Sequence, residues 1–123
     1  MLTRTAPQSL LKNLPETLTE EAFTPLLERP GLRLERILSL GHQTPDGEWL
    51  VGNEDEWVLL LKGSARLYLE GWEEEVSLLS GDALLIPRGL RHRVIETAKD
   101  QHTVWLALHL APDALSPHHA TLA

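Results

Sequence analysis

The chain has 123 residues, with 11 Lys+Arg against 18 Asp+Glu and no cysteine. One domain with one core is expected at this length; the lack of Cys excludes disulfide scaffolds, thiolate zinc sites and cysteine nucleophiles, and a formal charge of −7 argues against nucleic acid as a partner. No apolar run approaches the roughly 20 residues of a membrane helix, and the opening MLTRTAPQSLLKNLP lacks a signal-peptide h-region, so a cytoplasmic protein with no membrane partner is expected.

In chain order, residues 1–31 read as a partly helical N-terminal segment. Thr17-Leu18-Thr19-Glu20 fits the helix capping pattern, and Glu21, Phe23, Leu26 and Leu27 continue a short amphipathic helix that Pro25 cuts to one or two turns. Arg29-Pro30-Gly31 is a turn. From Leu32 the hydropathy period becomes two. Leu32, Leu34, Leu38 and Leu40 share one face and Arg33, Glu35 and Ser39 the other, with Arg36 on the apolar side and Ile37 on the polar side. After a turn-rich loop at Gly41–Gly47, strand-like runs follow at 48–52, 56–62, 65–70, 74–79, 83–86, 92–96 and 102–110. Clusters such as Lys62-Gly63-Ser64, Ser80-Gly81-Asp82 and Pro87-Arg88-Gly89 separate them. Many short strands with regular turns predict an all-β sandwich or barrel over residues 32–110. Residues 111–123, with Pro112 and Pro117, form a loosely held tail.

The most informative segment runs from Gly81 to His92 and reads G-x5-P-x-G-x2-H. Gly81 permits a tight turn at positive φ, Leu84 to Ile86 form a buried strand, Pro87 ends ladder donation, and Gly89 lets the chain reverse before His92 opens the next strand. Upstream, Glu56 is followed by six residues and then Gly63, an E-x6-G pattern.

These two segments resemble the second and first motifs of the cupin family, over residues 32–110. The tracts around Pro45-x-Gly47-x-Trp49, Glu56-Trp57-Val58, His92-Arg93-Val94 and Trp105-Leu106-Ala107-x-His109 also look like small bacterial cupins with no assigned reaction. The resemblance implies a double-stranded β-helix, a jelly-roll-like barrel with a ligand pocket inside. Metal-binding cupins take two His and one Glu from the first motif and one His from the second, a set suited to Fe, Mn, Ni, Cu or Zn. Here the two first-motif His positions fall on Leu50 and Gly52, or on Trp49 and Val51, and only Glu56 and His92 match a ligand position. A low-occupancy divalent metal at His92 and Glu56, completed by His42 or His109, is one expectation. A metal-free acid/base pair of Glu56 and His92 is another.

Other residues carry secondary expectations. Trp49, Trp105 and His109 are placed in the ligand pocket, Trp49 and Trp105 as stacking surfaces for a planar ligand or as core. Arg88, Arg91 and Arg93 either bind an anion at the barrel rim or neutralise the acidic surface. Glu73-Glu74-Glu75 reads as a solvated edge. Trp72 is an exposed turn residue, Asn53 a turn residue, and His118-His119 belong to the tail. Trp57, Leu59 and Leu61 form an outward apolar row that needs cover, so a homodimer is expected. Function remains divided between a small-molecule-binding cupin that is a metal-dependent enzyme on a small polar metabolite, a metal-free ligand-binding or regulatory module, and a structural dimerisation domain.

Overall fold

Alternation along β3 (Asp55–Lys62) sets the pattern of the molecule: Val58 and Leu60 are buried while Trp57, on the opposite face, is exposed. The computed structural model describes residues 6–112. They form eight strands and no helix: β1 (Ala22–Arg29), β2 (Leu32–Ser39), β3, β4 (Ser64–Leu69), β5 (Val76–Leu79), β6 (Ala83–Ile86), β7 (His92–Thr97) and β8 (Thr103–Leu110). A five-stranded sheet in the order β1-β2-β8-β3-β6 faces a three-stranded sheet in the order β5-β4-β7, and all pairings are antiparallel. Between them lies one apolar cluster that includes Val58, Leu60, Leu67, Leu69, Leu78, Ile86 and Trp105. Burying a side chain of this kind contributes about 1.5–3 kcal/mol.

The helical reading of the N-terminal segment is overturned. Residues 22–29 are a strand paired to β2 through the Pro30-Gly31 turn. Pro25 forfeits a donor, which is costly inside a helix but tolerated on β1, the outer strand of its sheet. The helix-like spacing of Phe23, Leu26 and Leu27 comes from an irregularity in the pairing between Pro25 and Leu27. One extra residue there breaks the alternation, so Phe23 pairs with Ile37 on the inner face and Leu27 with Leu34 on the outer. The run at 48–52 is also not a strand. It is a loop whose backbone joins the sheet through an isolated bridge between Leu50 and His92. The other strand-like runs match their strands to within two residues.

The mixed hydropathy of β2 has a definite meaning. The side bearing Arg33, Glu35, Ile37 and Ser39 faces the barrel interior, opposite His109, Ala107, Trp105 and Thr103 of β8. The leucine side faces out. Leu38 and its cross-strand neighbour Val104 are almost fully buried there, apart from the central cluster. The segment before β1 lies over them: Arg36 donates to the Leu10 carbonyl at 3.2 Å, and the rings of His42 and His102 contact the carbonyls of Thr19 and Pro15.

Gly63, the last residue of the E-x6-G pattern, sits where the chain crosses from one sheet to the other. Its φ is +95°, and a Cβ there would lie 2.5 Å from Thr103 Oγ1 and 2.7 Å from both the His102 carbonyl oxygen and the Thr103 Cα. Gly81 takes φ +94°, as its turn requires. The tail beyond residue 112, with His118 and His119, lies outside the described residues.

Candidate functional site

The interior face of β2, β3 and β8, the start of β7 and the 50–54 loop enclose a cavity of about 340 Å³. Its floor is apolar, built from Val58, Leu67, Ile86 and Trp105. A polar belt of Glu21, Arg33, Glu54, Glu56, His92 and His109 runs above it. Phe23, Leu50, Val51 and Pro87 complete the rim with exposed apolar surface.

Strand geometry brings the two motif residues together. Glu56 shares the inner face of β3 with Val58 and Leu60, and His92 opens β7 in the facing sheet. His92 Nε2 and Glu56 Oε1 are 3.9 Å apart, beyond a direct hydrogen bond. His92 is 7 % exposed. Its Nδ1 lies 3.0 Å from the Leu90 carbonyl oxygen. A carbonyl only accepts, so this contact assigns the proton of the neutral ring to Nδ1 and leaves the Nε2 lone pair facing Glu56.

A second carboxylate–imidazole pair shares the cavity. His109 Nε2 lies 2.7 Å from Glu35 Oε2, and both side chains are mostly buried. His109 Nδ1 is 3.9 Å from Glu54 Oε1, which accepts from Arg33 Nη1 at 3.2 Å. Glu21 hydrogen-bonds Ser39, whose hydroxyl oxygen also accepts from Trp105 Nε1 at 3.1 Å. Arg33, Glu35, Glu54 and Glu21 were not singled out as site residues from the sequence. The available signal was the polar alternation of β2, which reads equally as a solvated face.

Of the residues expected in the site, Glu56, His92, Trp105 and His109 line the cavity. Trp49 does not. It packs outside the barrel against Tyr68, with ring centroids 5.9 Å apart, under the guanidinium groups of Arg91 and Arg93 at 4.8 and 5.9 Å. Those two arginines are paired with Glu70 and Asp46, which favours the neutralising reading over an anion site. Arg88 is exposed at a turn, where its backbone N–H donates to Asp55. His42 is also outside: its Nδ1 accepts from the Leu40 N–H at 2.9 Å, and its ring faces the N-terminal segment. Asn53 is an exposed loop residue, Glu73-Glu74-Glu75 is an exposed run, and Trp72 is exposed in the turn after β4.

The residues present do not fit the four-ligand metal shell of the family pattern. Leu50, Val51 and Gly52 occupy the wall where the two missing imidazoles would stand. Metal–ligand bonds of about 2.0–2.2 Å hold adjacent donors roughly 3–3.5 Å apart, closer than Glu56 and His92 stand here. Among the described residues no group of three or more His, Cys, Asp or Glu side chains is arranged to hold a metal ion.

Comparison with known proteins agrees with this architecture. A protein from Ralstonia eutropha JMP134, described as a "putative mannose-6-phosphate isomerase", is 40% identical and superposes with a TM-score of 0.84, over 87% of this chain and 99% of that one. A cupin superfamily protein from Desulfitobacterium hafniense DCB-2 matches at TM-score 0.70 and 16% identity, over 89% of this chain and 94% of that one. An RmlC-like cupin family protein with a double-stranded β-helix fold, from Methanocaldococcus jannaschii, matches at TM-score 0.61 and 15% identity, over 80% and 87%. The chain has the double-stranded β-helix fold of the cupins. No family model matches this chain, and no match was found among curated proteins. Among the described residues the chain has no helix long and apolar enough to cross a membrane.

Proposed function

We propose that this chain binds a small organic molecule inside its barrel, with Glu56 and His92 as the polar anchors, and that these two form an acid/base pair where the ligand reacts. The observation that carries the reading is the open Nε2 of a buried His92 facing Glu56 across 3.9 Å in a 340 Å³ cavity. That volume is at the small end for ligand pockets, and an apolar floor with a few convergent polar groups is their usual composition. The donor set favours the metal-free form of this reading over the metal-dependent one. A screen of polar metabolites by ligand-observed NMR tests it. Binders should be displaced by Glu56→Gln and by His92→Ala while the fold persists; binding unchanged in both variants refutes the assignment.

The description of the Ralstonia protein supports a second reading, aldose–ketose isomerisation. Moving a proton between neighbouring carbons is work for an acid/base pair such as Glu56 and His92. Phosphate recognition fits less well. Among the described residues Arg33 is the one guanidinium lining the cavity, and its Nη1 is held by Glu54. A coupled assay with mannose 6-phosphate decides: turnover lost in Glu56→Gln supports this reading, and no turnover removes it.

The proposal includes a homodimer. A row of apolar side chains crosses the outer face of the large sheet from edge to edge: Leu27, Leu34, Leu108, Trp57 and Leu85, each paired to the next. Leu27, Trp57 and Leu85 are 40 %, 38 % and 52 % exposed. A second copy is the partner that covers such a face symmetrically.

A further inference from the structure

We propose that the ligand carries a positive charge, as a protonated amine or other ammonium group, and that the Glu56 carboxylate receives it. The inference rests on the reading that the barrel binds a small molecule, and it names the chemical class. The polar atoms left open around His92 and Glu56 are acceptors. His92 Nε2 presents a lone pair, and no hydrogen bond of the described residues engages the Glu56 carboxylate. Of the donors, Trp105 Nε1 is committed to Ser39, His109 Nε2 to Glu35 and Arg33 Nη1 to Glu54, while the rest of the partly exposed Arg33 guanidinium keeps open N–H groups. Beside Glu56 and His92, a ligand that brings acceptors meets acceptors, and one that brings N–H groups meets partners.

Charge points the same way. Among the described residues Glu21, Glu54 and Glu56 line the cavity and Glu35 stands behind His109, against a single guanidinium. Four carboxylates outnumber the cations even with both imidazoles protonated. The apolar floor strengthens each interaction, and the indole of Trp105 adds an aromatic wall suited to a cation. Among the four carboxylates, Glu21, Glu35 and Glu54 are held by Ser39, His109 and Arg33. Glu56 is the remaining one, and an amine nitrogen within hydrogen-bonding distance of both its oxygen and His92 Nε2 spans the gap between them. An overall charge of −7 attracts such a ligand from solution.

The test uses the full chain and three probes of one shape: cyclohexylammonium, cyclohexanol and cyclohexanecarboxylate, titrated at pH 7.5 and low salt with the Trp105 indole N–H followed by NMR. The ammonium should bind at least tenfold more tightly than the carboxylate, with the alcohol between. Glu56→Gln should lower the ammonium affinity about tenfold and the alcohol affinity by less than threefold, and an equal loss for both overturns the charge assignment. Equal affinities, or a preference for the carboxylate, overturn the charge assignment while leaving the barrel as a ligand site. If none of the three shifts a cavity resonance, the binding reading and this inference fall together.

Discussion

Replacing Gly63 by alanine isolates the physical reason for one motif position. Two penalties meet there. A non-glycine residue held in the left-handed region costs about 1–2 kcal/mol. The new methyl would lie within 2.7 Å of the His102 carbonyl oxygen and the Thr103 Cα. These are backbone atoms of the adjoining chain and cannot rotate away. The third neighbour, Thr103 Oγ1, is tied to the Ser64 backbone through both its N–H and its carbonyl. Forcing a methylene-sized group into such a site costs about 1–3 kcal/mol more. The sum, about 2–5 kcal/mol, is a large part of the stability of a small domain. At about 4 °C per kcal/mol for a chain of this length, Gly63→Ala should lower Tm by about 8–20 °C. Gly89→Ala is the control, because Gly89 also has positive φ, +79°, but a Cβ there meets nothing within 4 Å. It should lose only the conformational part, about 4–8 °C. Circular dichroism melts of both variants provide the comparison. If the two melt within 2 °C of each other, the close approach at Gly63 contributes nothing and the steric argument fails.

His109→Ala strips the partner from a mostly buried Glu35 and should cost about 1–3 kcal/mol in a denaturant melt; Glu35→Leu in the same chain should recover part of that loss, and no recovery would mean the pair is not what the variant broke. Chelation with EDTA should move Tm by less than about 2 °C, because stabilisation follows ligand occupancy, whereas a drop above about 5 °C would show a metal held by a set other than Glu56 and His92 alone. Light scattering should give twice the chain mass of 13.8 kDa, and Trp57→Glu should return it to the monomer; a wild-type monomer at high micromolar concentration refutes the dimer. Arg36→Ala removes the guanidinium that holds the Leu10 carbonyl and should speed proteolytic cleavage within residues 6–20, read by mass spectrometry, with unchanged cleavage showing that the rings of His42 and His102 suffice.

The barrel was legible because its strands are short, alternate cleanly and are punctuated by glycine and proline, and because Gly63 and Gly81 occupy turns that few other residues tolerate. Glu56 and His92 were legible through the motif spacing that carries them into one cavity. Phe23 and Leu27 were misread because a bulge imitates helical spacing, and local periodicity does not distinguish one inserted residue from a change of period. Trp49 was misplaced because the 48–52 run is a loop, where alternation has no authority over direction. Glu35 and Arg33 were overlooked for a different reason. A strand shows which residues share a side, but the side that becomes the interior is decided by what packs on the other, here the N-terminal segment over Leu38 and Val104.

Strand β1 places Glu21, just before its start, and Phe23 at the cavity, while past its bulge Leu27 lies on the outer apolar row. Among the described residues its other edge is unpaired. The ligand and the second copy proposed above would therefore bear on the same short ribbon, which among the described residues is anchored along one side only. Whatever free energy one event spends in fixing that ribbon, the other need not spend again. Thermodynamic reciprocity then requires the ligand to tighten the dimer by the same factor that the dimer tightens the ligand.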